Sequence, residues 1–143
     1  MDARVGLRHL VPSTSTWVDV PRSRATRGRT ADEVRRLPPG APVVLAARGL
    51  GCRRRSRALA RLASVDVERE LLAIPSLDAP DYLVEDDPDA VSGFWRSFVT
   101  VPPGAALTAP VISVAIRVVD ALHAWALVGM VAPGRYTVGR RGR

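Results

Sequence analysis

Three groups of residues in this chain have types and spacings suited to chemistry. Arg48-Gly49-Leu50-Gly51 stands between an apolar run and the start of a basic helix, the position where α/β proteins present backbone amides to phosphate. Gly49 and Gly51 are therefore candidate cofactor-binding residues. A complete dinucleotide fingerprint needs a third glycine, where this chain has Arg54, and the loop lacks the Gly-Lys-Ser/Thr ending of a phosphate-binding loop. An ordinary strand-to-helix turn is the simpler reading of the same glycines. The second group is Arg48, Arg53, Arg54, Arg57 and Arg61, whose guanidinium groups suit anion binding and can hold phosphates without reading base sequence. A solvated arginine face is the competing reading. The aromatic platforms that single-strand binders interleave with such residues are missing. The third group is Cys52 with His123, a candidate thiol-imidazole pair in which Cys52, near a helix N-terminus and beside several arginines, has a setting that favours a thiolate. A buried structural cysteine and a histidine on a helix face account for the two residues without catalysis.

Two further charged groups read as structural. Glu85, Asp86, Asp87 and Asp89 offer oxygen ligands to a hard cation, but no loop of calcium-binding spacing surrounds them. A helix dipole explains carboxylates at that place, and no metal is predicted. Arg117 and Asp120, three residues apart on an apolar helix, read as an ion pair.

The elements that must position these residues follow from periodicity and turn residues. Ser15 to Val20 alternates as a short strand before Pro21, and residues 22–29, rich in Arg, Ser, Thr and Gly, read as a flexible arginine-rich loop. Thr30 and Glu33 have capping-box spacing, predicting a short helix that starts at Thr30 and runs to Leu37. Pro42 to Ala47 is a continuous apolar run suited to a strand buried on both faces. A basic amphipathic helix is expected over 52–63, with Cys52, Leu59, Leu62 and Ala63 near one face, and a strand over 65–74. Strand, helix and strand over about thirty residues predict a βαβ crossover and a parallel sheet. Asp87-Pro88 opens a helix whose Val91, Phe94, Trp95 and Phe98 share one face. A long apolar helix over about 110–128 follows, then a last strand over 135–138 and a basic tail at 139–143.

Composition bounds the whole. The chain has 143 residues with 47% apolar content, enough for a single domain with one core. All 21 cationic residues are arginine, and residues 1–70 hold 15 of them against 7 acids, so the basic surface belongs to the first half. That surface suits phosphate-bearing partners, nucleic acid included, without implying specificity. One cysteine excludes an internal disulfide, and a reducing, cytoplasmic setting fits. The first eleven residues lack the pattern of a secretory signal. Arg117, Asp120 and His123 interrupt the apolar stretch 105–132, so no transmembrane segment is expected. An apolar face on the 110–128 helix would suit a partner protein or a homodimer.

Residues 45–95, through Ile74-Pro75-Ser76-Leu77-Asp78-Ala79-Pro80-Asp81-Tyr82-Leu83-Val84, the acidic residues and the helix bearing Phe94 and Trp95, resemble the C-terminal part of class I methyltransferase-like proteins. The resemblance implies an α/β fold: a small, incomplete Rossmann-like sheet with flanking helices and a long apolar C-terminal helix. Its relatives bind S-adenosylmethionine on a Gly-rich loop after the first strand and hold the ribose with an acid ending the second. Here Gly49 and Gly51 alone match the loop, and Glu68 or Glu70 would lie inside a strand. The implied role is an accessory or binding unit, not active alone. The alternative from composition is a basic anion- or nucleic-acid-binding module. A minor alternative is a Cys/His transglutaminase-like peptidase, since the segments from Cys52 to Ala60 and from His123 to Trp125 resemble the Cys and His motifs of leader peptidases of lasso-peptide pathways. An apolar helical segment precedes His123 where those enzymes carry strands.

Overall fold

The structure, a computed structural model, describes residues 10–74, 76–78, 80–98, 109–122, 124, 125, 127 and 132–142. Among these, five strands and four helices follow one another as β1 (Thr16–Asp19), α1 (Arg24–Arg35), β2 (Pro42–Arg48), α2 (Cys52–Leu62), β3 (Val65–Ile74), β4 (Tyr82–Glu85), α3 (Pro88–Phe98), α4 (Ala109–Ala121) and β5 (Gly134–Arg141). The strands form one mixed sheet in the order β1-β2-β5-β3-β4. β1 and β2 pair in parallel, whereas β5 is antiparallel to both its neighbours and β3 is antiparallel to β4.

The sheet is mixed, not parallel as predicted. β2 and β3 do run in the same direction, as a strand-helix-strand unit requires, but they do not touch: the C-terminal strand lies between them. Only β1 and β2 make a parallel pair. β5 is also longer than predicted and continues to Arg141 through most of the expected basic tail.

Alternation along the strands divides the sheet into two apolar faces. Val43, Leu45 and Ala47 of β2 point toward α1 and α2, where they pack with Ala31, Val34, Cys52, Leu59 and Ala60. Val44, Ala46, Leu71, Ala73, Tyr136 and Val138 point the other way and pack with Val11 and Leu77. Burial of each such Val or Leu contributes about 1.5–3 kcal/mol. β2 therefore is, as read from its sequence, a strand buried on both faces. A third cluster joins Leu72 and Val84 to Val91, Phe94 and Trp95 of α3, Ile116 and Val119 of α4, and Trp125. Val91, Phe94 and Trp95 of the predicted stripe are core, the Phe98 side chain lies outside the described residues, and Asp87 caps the helix by accepting from the backbone amides of Asp89 and Ala90 at 2.9 and 3.3 Å.

Three local expectations differ from the structure, the first for a tertiary reason. The 22–29 segment is not a loop beyond Ser23: α1 begins at Arg24, and Thr30, the expected cap, lies inside it with its hydroxyl donating to the Thr26 carbonyl at 3.1 Å. Arginine is a good helix former, and burial of Ala31 and Val34 on β2 anchors the helix that propagates back through the polar residues. The long apolar C-terminal helix is described over Ala109–Ala121 and ends there in a turn, with the Ala124 amide donating to the Val119 carbonyl. Asp120 accepts from Arg96 at 2.8 Å and from the Trp125 indole at 2.6 Å in place of the predicted pairing with Arg117.

Candidate functional site

Parallel α/β units gather the carboxyl ends of their strands and the N-termini of their crossover helices at one end of the sheet. Here that end carries Asp19 at the close of β1, Arg48 at the close of β2, and the 49–51 loop. Arg48 donates to Asp19 at 2.8 Å and to Asp78 at 2.7 Å. These hydrogen bonds, Asp78 before Asp19, hold the guanidinium above its ordinary pKa, and Arg48 in turn holds the exposed Asp78 carboxyl below its own. Arg48 is thus committed to two carboxylates.

Gly49 and Gly51 have φ of 72° and 71°, left-handed conformations that strain any residue with a Cβ. Their presence follows from the turn. The Gly49 amide donates to the Pro133 carbonyl at 2.7 Å, and a side chain on Gly49 would come within 3.3 Å of Arg22. Arg55 folds back over the loop, donating to the Leu50 carbonyl at 2.5 Å and to the Arg48 carbonyl. Glu68 pairs with Arg140, and Glu70 with Arg57 and Arg135, so neither acid stands beside the loop. The acids that stand at this end, Asp19 and Asp78, are exposed but bound to Arg48, and Arg22 and Arg55 lie against Gly49 and Gly51, so a ribose would have to compete with Arg48 for its carboxylate.

α2 divides the other candidate arginines between two sides. Arg53 and Arg57, four residues apart, face β3 and β4. There Arg57 makes a forked contact with Glu70 at 2.8 and 2.6 Å, and Arg53 lies 3.2 Å from Asp86. Arg135 of β5, with no side-chain exposure, donates to Glu70 at 3.1 Å and to Asp86, which is 4% exposed. Three guanidinium groups thus surround two carboxylates under α2. Beside them the Ser56 and Thr137 hydroxyls, both fully buried, share a 2.5 Å hydrogen bond. Burial pushes the Glu70 carboxyl up, but the Arg57 hydrogen bond and the charges of Arg135 and Arg57 outweigh it and leave the carboxyl below its ordinary value.

This cluster predicts a pH dependence. In the window between the depressed folded value of Glu70 and the unfolded value of about 4.3, the unfolded chain binds more protons. The stability Glu70 contributes is therefore complete above that unfolded value and lost as pH falls through the folded one. Urea midpoints measured from neutral pH downward should fall more steeply with acid in the parent chain than in Glu70→Gln. Equal slopes would mean that Glu70 is not held low.

Arg54 faces the other side of α2, and Arg61, one turn after Arg57, stands between the two sides and also borders the pocket of Glu68, Glu70 and Asp86. With Arg22, Arg24 and Arg27 from α1 and the turn before it, and with Arg55, they line a groove of about 660 Å3 floored by Ala58 and Leu62. No carboxylate lines this groove. Sequence reasoning placed Arg54 and Arg61 in an anion site but missed Arg22, Arg24, Arg27 and Arg55, because a segment read as a loop gave no reason to set its arginines against those of the next helix. The spacing of Arg54, Ala58, Arg61 and Leu62 along one helix face was the available signal.

Cys52 is fully buried in the α1/α2 core, its thiol 3.5 Å from the Ala132 carbonyl, and so sits where no substrate reaches it. His123 lies outside the described residues, and with it the proposed pairing. Asp86, Asp87 and Glu85 do not converge as ligands; among the described residues no group of three or more His, Cys, Asp or Glu side chains is placed to hold a metal ion.

No protein-family model matches the chain, and no curated protein or solved structure is significantly similar to it. Among the described residues no helix is long and apolar enough to cross a membrane.

Proposed function

We propose that this chain is an accessory or binding unit, built as one half of a methyltransferase-like, doubly wound sheet and inactive in methyl transfer by itself. The observation that carries this reading is the progression β1-α1-β2-α2-β3. Three strands with a common direction advance across the sheet, each joined to the next by a helix, as in the second half of a fold with strand order 3-2-1-4-5-6. The added β5 fills the gap between the second and third of them. In a complete fold of this type the first half pairs along the outer edge of the strand corresponding to β1, and ligands bind at the carboxyl ends where the two halves meet. Among the described residues β1 pairs with β2 alone, so that edge stands open. The engagement of Asp19 and Asp78 by Arg48, with Arg22 and Arg55 against Gly49 and Gly51, supports the same reading. So does the exposed stripe of Val114, Val118 and Leu122 on and just after α4, a surface that a partner chain or a second copy would cover.

Calorimetric titration with S-adenosylmethionine and its demethylated product tests the proposal. The expected result is no saturable heat at any salt concentration from a chain that circular dichroism shows to be folded. Saturable, salt-tolerant binding that is lost in Gly51→Glu, or methyl transfer by the purified chain, would overturn it.

A further inference from the structure

α1 and α2 run side by side from the same end of the sheet, and both start without the usual compensation for their positive poles. Neither N-cap residue, Ser23 or Gly51, makes a side-chain capping hydrogen bond, and neither helix has an acid in its first turn. Arginines stand there instead: Arg24 and Arg27 on α1, and Arg53, Arg54 and Arg55 on α2. Cations at a helix N-terminus are unfavourable by a few tenths to about 1 kcal/mol each. Arg53 is neutralised by Asp86. The rest converge on the groove between the helices, where Arg22, Arg24, Arg54 and Arg61 have neither an ion pair nor a side-chain hydrogen bond among the described residues. Elsewhere Arg35, Arg48, Arg57, Arg69, Arg96, Arg135 and Arg140 each have a carboxylate partner, while Arg29, Arg36, Arg117 and Arg141 have none among the described residues. Among the described residues the groove gathers the largest set of arginines without a carboxylate partner.

We infer that the α1/α2 groove binds the sugar-phosphate backbone of duplex nucleic acid, without reading its sequence. Three features select this ligand class. Arg54 and Arg61 are seven residues apart on one helix, or about 10 Å, a span that exceeds one phosphate group and lets two long side chains reach separate phosphates of one backbone. The surface is concave, which fits a strand of phosphates better than a flat lipid surface. Its floor is Ala58 and Leu62 with no aromatic ring to stack on a base, so contact stays with the backbone, which a duplex presents outward. Two of the lining arginines are preset: Arg27 donates to the Pro21 and Arg22 carbonyls at 3.1 and 2.7 Å, and Arg55 to the loop carbonyls. This inference stands apart from the half-sheet proposal and does not depend on it.

The test is fluorescence anisotropy of the full chain with a labelled duplex of arbitrary sequence over a range of salt concentrations. Four phosphate contacts give a log–log salt slope of about −3.6, or roughly a 150-fold loss of affinity between 50 and 200 mM salt. The triple variant Arg24→Ala, Arg54→Ala, Arg61→Ala should reduce the magnitude of that slope by about 2.7, and the single variants Arg24→Gln and Arg61→Gln by about 0.9 each. Arg140→Ala, outside the groove, should leave it unchanged. A duplex of unrelated sequence should bind equally. The inference is overturned if the duplex does not bind, if the single groove variants leave the slope as it was, or if inorganic phosphate or anionic phospholipid vesicles bind while the duplex does not.

Discussion

Asp86→Ala is expected to lower the unfolding free energy by about 3–5 kcal/mol, enough to leave a domain of this size partly unfolded at room temperature. Asp86 is 4% exposed and faces Arg135, which has no side-chain exposure, with Arg53 3.2 Å away on the other side. Removing the carboxylate leaves three guanidinium groups facing Glu70 alone, and one of them has no path to water. A buried charge without its partner costs far more than the pair contributes. The contrasting variant is Arg135→Met. It removes the buried cation but leaves Glu70 with Arg57 and Asp86 with Arg53, and it fills the same space with an apolar side chain, so it should cost less than Asp86→Ala. Urea denaturation of both variants checks this, with Asp86→Asn as the isosteric control. Equal losses from Asp86→Ala and Arg135→Met would show that the cluster acts through packing alone.

Gly139→Ala is the second substitution of large expected effect, although it adds a single methyl group. A Cβ at this position would collide with the Asp66 carbonyl oxygen and lie 3.0 Å from both the Asp66 carbonyl carbon and Val65 Cγ1. Two of these three atoms belong to backbone, in the β3 segment where the register with β5 shifts between Val67 and Arg69. The bulge brings the β3 main chain across the position a side chain would occupy, so the strand can accept the methyl only by moving away from its ladder. Overpacking of this kind costs about 1–3 kcal/mol where side chains can yield, and a backbone obstacle puts the change at the upper end. Hydrogen exchange should localise the damage, with faster exchange at the β3/β5 ladder near Val65 and Asp66 and little change at the β1/β2 pair. Uniform loss of protection across the sheet would contradict a local clash.

The elements that could be read directly from residue pattern are those whose apolar periodicity is strong. The run from Pro42 to Ala47, the Cys52, Leu59 and Ala63 face of α2, the 65–74 strand and the Val91, Phe94, Trp95 stripe all form as their spacing requires, whereas Leu62, expected on the same α2 face, is half-exposed. β4 escaped notice because it has only four residues, and its two ends, Tyr82 and Glu85, are exposed. The arginine segment of α1 was misread because its helical state depends on Ala31 and Val34 finding β2, a contact no local window contains. The candidate arginines could be listed from sequence, but their grouping could not. Residues four apart, Arg53 and Arg57, share a carboxylate cluster. Arg54 and Arg61 meet arginines from a segment some thirty residues earlier.

β5 shows most sharply where the two kinds of information separate. By itself the sequence determined that an α/β domain forms, with a strand-helix-strand unit around Gly49 and Gly51 and a basic first half, because apolar spacing and turn residues act over short distances. Only the tertiary structure decided that the polar-looking stretch from Gly134 to Arg141 is the central strand. Arg135 can be buried because Glu70 and Asp86 neutralise it, Thr137 because Ser56 shares its hydrogen bond, and Gly139 because β3 passes too close for any side chain. Each of these partners lies between 49 and 81 residues away along the chain. A charged residue is costly in a core until its counter-charge arrives, and which residue supplies that charge is settled by the fold.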